Sequence, residues 1–112
     1  SAASDVYKRQ TFNHVGIVTT EKVEGAFLNK GLNVWLTDFN KSENKIEYLR
    51  FEGESCLPEL VQVKTHLAYV VPSLEEELKG KKILFGPVVC DEHLDIAFIE
   101  EEGIAIELMQ FK

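Results

Sequence analysis

Two histidines and two glutamates recur at matching places in the two halves of the chain. His14 opens the run HVGIVTTEKVEG, and His66 opens the similar run HLAYVVPSLEEE. Glu59 lies in PELVQVK and Glu107 in IELMQFK, two segments that share Glu, Leu, Gln and Lys at equal positions. Imidazole nitrogens and carboxylate oxygens are ligands for borderline divalent cations such as Zn, Ni, Co or Mn. These four residues therefore indicate a metal site, if the fold brings them together.

Each of these four residues, taken alone, also has an explanation without a metal. A single histidine at the start of a strand usually makes an ordinary hydrogen bond, and a single strand glutamate usually faces solvent. The recurrence of the same pair in both halves favours the metal site. A carboxylate that points inward within IAIELM also needs a partner, because unpaired burial of a charge costs several kcal/mol.

The repeat predicts two copies of one structural unit, at about 12–64 and 66–112. In each copy a β-branched apolar run is followed by a short helical stretch and three further strands. The first unit is expected to have strands at 12–19, 33–37, 45–52 and 58–64 and a helix at 21–30. The second is expected to have strands at 66–71, 83–89, 94–100 and 104–111 and a helix at 74–79. Ser73 opens that last helix with a capping-box pattern, SLEE.

A tandem βαβββ unit predicts an α+β fold. We expect a curved, mixed, mostly antiparallel eight-stranded sheet with the short helices on its convex side. Side chains alternate faces along a strand, and a pseudo-two-fold axis between the units would place equivalent residues around one centre. His14, Glu59, His66 and Glu107 would then converge there.

Length and charge restrict the classes of function. A chain of 112 residues with 45% apolar residues supports one folded domain. Its net charge of −7 is the opposite of what phosphate neutralisation on nucleic acid or attraction to an anionic membrane requires. No apolar run approaches the ~18 residues that span a bilayer. We expect a cytoplasmic protein that binds a small-molecule substrate or ligand, with neither nucleic acid nor membrane as a partner.

The first ten residues and the two cysteines are interpreted separately. SAAS resembles a tag remnant, and DVYKRQ resembles the translated end of a sequencing adapter, as in a gene called from metagenomic reads. Residues 1–10 are therefore expected to be disordered and residues 11–112 to form the single domain. Cys56 and Cys90 lie in apolar, strand-like contexts and are expected to be buried free thiols rather than a disulfide.

The repeated unit resembles the vicinal oxygen chelate superfamily, which includes glyoxalase I, methylmalonyl-CoA epimerase, extradiol dioxygenases and metal-free bleomycin-binding proteins. The resemblance covers residues 12–112 and is carried by the opening HVGIV, the mid-chain HLAYVV and the closing IAIEL. Glyoxalase I has the ligands His, Glu, His and Glu on the first and fourth strands of its units. The matching residues here are His14, Glu59, His66 and Glu107, so the ligand pattern is nearest to glyoxalase I and to the epimerase.

The resemblance implies a divalent-metal-dependent isomerase, epimerase or lyase that acts on a small α-carbonyl or acyl compound through a metal-stabilised enolate. Glu107 and Glu59 would move the proton next to the carbonyl. Glu107 is expected to be the principal base, because its apolar neighbours raise its pKa. The alternative on the same scaffold is a non-catalytic protein that binds or sequesters a small molecule.

Arg50, Tyr48 and Trp35 are the candidate substrate-binding residues. Leu49 and Phe51 are expected to face the helices. Tyr48 and Arg50 then face the concave side, where a guanidinium can hold a carboxylate or phosphate through two hydrogen bonds. A surface ion pair is the favoured alternative for Arg50, and core packing is the favoured alternative for Trp35. Because short helices cover little of the sheet, we also expect a C2 homodimer, with a site shared between chains as a further alternative.

Overall fold

The computed structural model describes residues 11–112, which form one eight-stranded sheet and three short helical segments. The predicted tag-like segment, residues 1–10, lies outside the described part of the chain. The strands are β1 (Thr11–Val18), β2 (Phe27–Asn29), β3 (Val34–Leu36), β4 (Ile46–Arg50), β5 (His66–Val70), β6 (Ile83–Asp91), β7 (Leu94–Glu101) and β8 (Ile104–Phe111). The helical segments are a 3-10 helix (Phe39–Lys41), α1 (Glu59–Val63) and α2 (Leu74–Glu77).

The order of strands across the sheet repeats from one half to the other. It runs β2-β3-β4-β1-β5-β8-β7-β6, with β1 and β5 antiparallel at the centre. Within the halves, β1 is parallel to β4 and β5 is parallel to β8, and the other neighbours are antiparallel. A pseudo-two-fold axis therefore passes between β1 and β5. The predicted α+β class and the curved, mixed, mostly antiparallel eight-stranded sheet are confirmed.

The fourth strand of the first half is β4 and not the predicted strand at 58–64. That segment forms α1, with Pro58 as the residue before its first turn. Val61 is buried while Glu59 and Val63 are exposed. In a strand these three residues would lie on the same face and would be buried or exposed together. By periodicity alone, an apolar run of this length fits either a strand or a helix. The match of PELVQVK to IELMQFK favoured the strand, and that prediction is wrong.

The helix predicted at 21–30 is also wrong. Within the described chain this segment forms turns and then β2. Gly25 has a φ of 84°, in the left-handed region that glycine tolerates and a continuous right-handed helix excludes. Among residues 11–112, therefore, no helix covers the outer face of the first half, and α2 is the helix on the outer face.

Two hydrophobic clusters divide between the two faces of the sheet. The outer cluster includes Leu74, Ala97, Ile99, Ile106 and Leu108, so α2 packs there through Leu74. The side chain of Ser73 accepts a hydrogen bond from the Glu76 N–H at 3.2 Å, which confirms the predicted cap of α2. The inner cluster includes Leu49, Val61, Ala68, Ile96, Phe98 and Met109, so α1 packs against the inner face.

Two further expectations are settled by the described residues. Cys56 and Cys90 are free thiols, but both are exposed, because Cys56 lies in a loop and Cys90 on the edge strand β6. The expected burial of these thiols is wrong. None of the helices formed by residues 11–112 has the length and apolar character to cross a membrane.

Candidate metal centre

His14 and His66 meet at the centre of the sheet through the antiparallel pairing of β1 with β5. His14 pairs with Ala68, and His66 pairs with Gly16. Residues that pair across strands, and residues two apart along a strand, share a face, so both imidazoles lie on the inner face. Their exposed fractions are 2% for His14 and 1% for His66. The two rings are therefore fixed in the core rather than at an edge.

Glu47 and Glu107 are placed by the parallel neighbours of those strands. Glu47 on β4 pairs with the residue two positions after His14. Glu107 on β8 pairs with the residue two positions after His66. The register is the same in both halves, so the pseudo-two-fold axis relates Glu47 to Glu107 and His14 to His66.

Glu59 is the one predicted ligand that the structure does not bring to this cluster. It lies exposed on α1, and Glu47 holds the fourth-strand position that the sequence analysis gave to Glu59. A signal for Glu47 was present in the sequence, because IEYL at its strand matches IELM around Glu107. The longer match at PELVQVK obscured it.

Both carboxylates lie close to the facing nitrogens of the two imidazoles. Oε1 of Glu107 lies 3.4 Å from Nε2 of His14 and 3.2 Å from Nε2 of His66. Oε1 of Glu47 lies 3.6 Å and 4.0 Å from the same two nitrogens. Ligand atoms held about 2.1 Å from a tetrahedral ion lie about 3.4 Å from one another. His14, Glu47 and His66 offer ligand atoms that all lie within 4.8 Å of one another.

The unsatisfied nitrogen atoms also fit a metal. Nε2 of His14 and Nε2 of His66 are buried, and neither has a well-directed hydrogen bond within residues 11–112. Buried polar atoms nearly always have a partner, so two such atoms side by side require an explanation. A cation between the imidazoles and the carboxylates would supply that partner.

The ring of His14 is oriented by two neighbours. Its Nδ1 lies 2.7 Å from Oδ1 of Asn13, and because an amide oxygen only accepts, Nδ1 carries the proton and donates. The ring of Phe39 stacks on the face of the His14 imidazole, with the two ring centroids 4.2 Å apart and an angle of 14° between the planes. Nε2 is thereby directed at the carboxylates, as in metal-binding histidines whose second nitrogen is hydrogen-bonded.

The ring of His66 occupies space that the absence of a side chain at Gly16 leaves open. A Cβ at Gly16 would lie 2.0 Å from Cε1 of His66, far closer than atoms can pack. Phe98 contacts the ring edge-to-face, with centroids 5.4 Å apart. Gly16 therefore belongs to the site, and the sequence analysis missed it. The signal was the small residue two positions after each histidine, Gly16 in the first half and Ala68 in the second.

Burial and neighbouring charges together shift the pKa values of Glu47 and Glu107 in opposite directions. Burial, and then the negative charge of Glu107, raise the pKa of Glu47 to about 7. Burial opposes ionisation of Glu107 as well, but interaction with the imidazoles of His14 and His66 outweighs it and lowers the pKa to about 2. Burial also disfavours charge on His14, yet Glu107 and then Glu47 leave its pKa above the ordinary value. The expected rise in the pKa of Glu107 is wrong; the rise occurs at Glu47.

Tyr48 and Arg50 lie on the face of β4 opposite the cluster. Glu47 and Leu49 line the inner cavity, and because side chains alternate along a strand, Tyr48 and Arg50 face outward. The predicted orientation is wrong, since it took Leu49 to face a helix on the convex side. No helix covers that side of β4 within the described chain.

Trp35 forms an outer-face group with Arg50. The Arg50 guanidinium makes an ion pair with Glu52 and lies 5.2 Å from the centre of the Trp35 ring. The Trp35 indole N–H donates to Oε1 of Glu52 at 3.0 Å. The structure thus matches the surface ion-pair explanation of Arg50 and places all three candidate substrate-binding residues outside the cavity that contains the histidines.

The four-residue cluster lies in the wall of an inner-face cavity of about 320 Å³. Its apolar wall includes Phe39, Leu49, Leu57, Ile96, Phe98 and Met109, and Asn13, Asn29 and Asn40 add side-chain amides. A second cavity of about 420 Å³ lies on the outer face beside Tyr48 and contains none of the four. Of these two cavities, the inner one opens onto the cluster.

Solved structures share this architecture. A hypothetical protein from Bacillus halodurans C-125 matches with a TM-score of 0.62 and 22% identity, over 91% of this chain and 94% of that one. Methylmalonyl-CoA epimerase from Mycobacterium tuberculosis matches with a TM-score of 0.59 and 17% identity, over 92% of this chain and 89% of the epimerase. The fold is of the vicinal oxygen chelate type. No protein-family model and no curated protein matches the sequence.

The two structural matches confirm the fold that the predicted resemblance implied. Neither of these two structures is named as a glyoxalase I, so the nearness to glyoxalase I in particular stays a prediction. At these identities the matches establish the fold, and the function rests on the chemistry of the site itself.

Proposed function

We propose that the protein binds one divalent metal ion through His14, Glu47, His66 and Glu107. One observation carries the proposal: two symmetry-related His/Glu pairs converge, with Oε1 of Glu107 at 3.4 Å and 3.2 Å from the facing Nε2 atoms, and neither buried nitrogen makes a well-directed hydrogen bond within the described residues. Two imidazoles and two carboxylates suit Zn, Ni, Co or Mn. Burial of the ligands beneath an aromatic ring, Phe39, keeps bulk water from competing for the ion.

We propose further that the protein is an isomerase, epimerase or lyase for a small α-carbonyl or acyl compound. The metal, when bound, would act as a Lewis acid that stabilises negative charge developing on a substrate oxygen. The pKa of Glu47 is about 7 in the metal-free protein, and a bound cation would lower it because the cation favours the ionised carboxylate. As the ionised carboxylate, Glu47 would accept the α-proton as a general base. The likeness to methylmalonyl-CoA epimerase supports an isomerase within this class.

Glu107 complements Glu47 across the pseudo-two-fold axis. The two imidazoles hold Glu107 ionised, which makes it a fixed ligand for the ion. Because Glu107 has no proton to give at neutral pH, Glu47 would both remove the proton and return it. In this account Glu47 takes the role that the sequence analysis gave to Glu107, and Glu59 has no part in it.

Calorimetric titration with Zn, Ni, Co and Mn tests the metal proposal. We expect one ion per chain, and a loss of affinity of about tenfold to a hundredfold in Glu47→Gln and His14→Ala. The matched controls are Glu59→Gln on α1 and His93→Ala, an exposed histidine beside Glu92, and both should bind like the parent protein. Equal loss in Glu59→Gln, or no binding by the parent protein, contradicts the site.

Exchange of a substrate α-proton for deuterium, followed by NMR with the metal-loaded protein, tests the catalytic proposal. We expect Glu47→Gln to slow the exchange of a small hydroxyketone by about 10²–10⁴-fold, the usual contribution of a general base. Metal binding without any exchange would instead favour the non-catalytic alternative, a protein that sequesters a small molecule in the same cavity.

We also propose that the protein forms a homodimer. Exposed apolar side chains lie on both edge strands of the sheet, Phe27 and Leu28 on β2 and Val88 and Val89 on β6. Unpaired strand edges with apolar side chains favour association with another chain. Light scattering at micromolar concentration should give twice the mass of the chain, and a monomeric mass contradicts this proposal.

A further inference from the structure

The size of the inner cavity restricts what can reach the metal centre. At about 320 Å³ it lies at the lower end of the range of about 300–1,000 Å³ that is usual for small-molecule pockets. The wall is mainly the apolar inner cluster of the sheet, including Leu49, Ile96 and Met109. A space of this size and lining encloses a compact apolar group, and it does not enclose a nucleotide or a peptide.

The charges in the cavity also restrict the ligand. Glu47 and Glu107 are the acidic side chains in its wall, and no Lys or Arg belongs to the wall formed by the described residues. Lys41, on the same 3-10 helix as Phe39, faces the outer cavity, and Arg50 is paired with Glu52 on the outer face. A divalent ion would neutralise the two carboxylates and leave no positive side chain for a carboxylate or phosphate on the ligand.

Two aromatic rings line the approach to the imidazoles. Phe39 lies parallel to His14, and Phe98 meets His66 edge-to-face. Both phenylalanines also line the cavity. Flat apolar surfaces favour a ligand with an aromatic or branched alkyl group, while the side-chain amide of Asn40, at the same cavity, offers hydrogen bonds without charge.

We propose, as a refinement that rests on the proposed function, that this cavity takes a compact, uncharged carbonyl compound with an aromatic or alkyl substituent. Acyl-CoA thioesters and glutathione conjugates are then disfavoured as substrates, because most of each molecule would lie outside the cavity and their charges meet no Lys or Arg in its wall. The apolar wall supplies the binding free energy, and the carbonyl oxygen is directed to the His/Glu cluster.

A pair of probes of nearly equal shape and different charge tests this refinement. 1-Phenylpropane-1,2-dione is uncharged, and phenylglyoxylate has a carboxylate in place of its acetyl group. Calorimetry at pH 7 with EDTA present measures the cavity without any metal, so a failed metal proposal does not affect the result. We expect the dione to bind at least about tenfold more tightly than phenylglyoxylate. Tighter binding of phenylglyoxylate, or no saturable binding of the dione, overturns the refinement.

Two lysine substitutions show whether charge in the cavity decides which of the two probes binds more tightly. Asn40→Lys places a cation at the cavity and should raise the affinity for phenylglyoxylate by about threefold to tenfold without strengthening dione binding. Asn44→Lys makes the same change of net charge in an exposed loop outside the cavity wall and should leave both affinities unchanged. An equal response of the two variants contradicts the assignment to this cavity.

Acetyl-CoA and S-methylglutathione are the probes for the disfavoured classes. With the metal-loaded protein we expect neither to compete with the dione. Competition by either at a concentration comparable to that of the dione overturns the size argument. Metal titration of the same preparation reports separately on the proposed function, because the ion can bind normally whichever organic ligand the cavity prefers.

Discussion

At the scale of single residues, the site depends as much on a missing side chain as on its ligands. Gly16 sits directly opposite the ring of His66, and a Cβ there would overlap it at 2.0 Å. Because β1 is paired with β5 up to this position and with β4 as far as Val18, its backbone is held in place and the histidine ring would have to move. The position of an essential ligand is therefore set by its neighbour.

Replacement of Gly16 by alanine should displace His66 and weaken metal binding by about tenfold or more, as loss of a ligand-positioning residue does. The control is Gly53→Ala, where the nearest atom to the new Cβ lies at 3.6 Å. Calorimetric titration with zinc distinguishes the two variants. Unchanged affinity in Gly16→Ala would show that the ring of His66 is not confined as described.

The raised pKa of Glu47 makes the stability of the metal-free protein depend on pH. A carboxyl with a pKa of 4.5 in the unfolded chain and about 7 in the folded protein holds its proton only when folded. This contribution to stability is complete below pH 4.5 and is lost as pH rises through 7. The metal-free protein should therefore lose on the order of 2 kcal/mol from this group between pH 5 and pH 8.

Glu47→Gln should remove this loss and leave the metal-free protein more stable than the parent at pH 8. Urea denaturation at pH 5 and pH 8 in the presence of EDTA measures it. The exposed Glu59→Gln serves as the control and should retain the slope of the parent protein. A parent protein whose stability does not fall over this range would contradict the raised pKa of Glu47.

At the scale of secondary structure, two substitutions in the segment 58–64 distinguish the observed helix from the predicted strand. In α1, Val61 is buried and Val63 is 62% exposed. We expect Val61→Ala to cost about 2 kcal/mol of unfolding free energy, as core truncations do, and Val63→Ala to cost less than about 0.5 kcal/mol. Chemical denaturation measures both. Equal costs would indicate a strand, in which residues 61 and 63 share a face.

The elements of the second half were predictable because several local signals agree there. The strands β5, β7 and β8 are apolar β-branched runs, and Ser73 caps α2 as its sequence pattern indicates. In the first half the signals conflict. Residues 21–30 have the composition of a helix but contain Gly25 at a positive φ, and 58–64 has the periodicity of either element. The secondary structure of these two segments depends on tertiary packing, which a single sequence does not reveal.

At the scale of the whole molecule, the pseudo-two-fold axis explains which ligands the sequence could identify. His14, His66 and Glu107 were predictable because they lie in strands whose sequences repeat clearly. Glu47 had only the short match of IEYL to IELM as a signal, because its half of the repeat has a shorter β4 and a different connection before β5. The role of Gly16 followed from the pairing of β1 with β5, which places it against the ring of His66.

Metal binding should stabilise the whole fold, since the ligands come from four strands in both halves of the sheet. Zinc at about 100 times its dissociation constant should add about 2.7 kcal/mol to the unfolding free energy. For a domain of this size that corresponds to a rise in Tm of about 10 °C or more, reversed by EDTA. Scanning calorimetry measures this, and Glu47→Gln should show a much smaller rise. A Tm that zinc leaves unchanged would contradict ligation by the folded state.

Anomalous diffraction from zinc-loaded crystals locates the bound ion and identifies its ligands. We expect a single peak within about 2.0–2.2 Å of Nε2 of His14, Nε2 of His66 and a carboxylate oxygen of each of Glu47 and Glu107. An ion bound elsewhere, coordination by Glu59, or imidazoles that point away from the peak would contradict it.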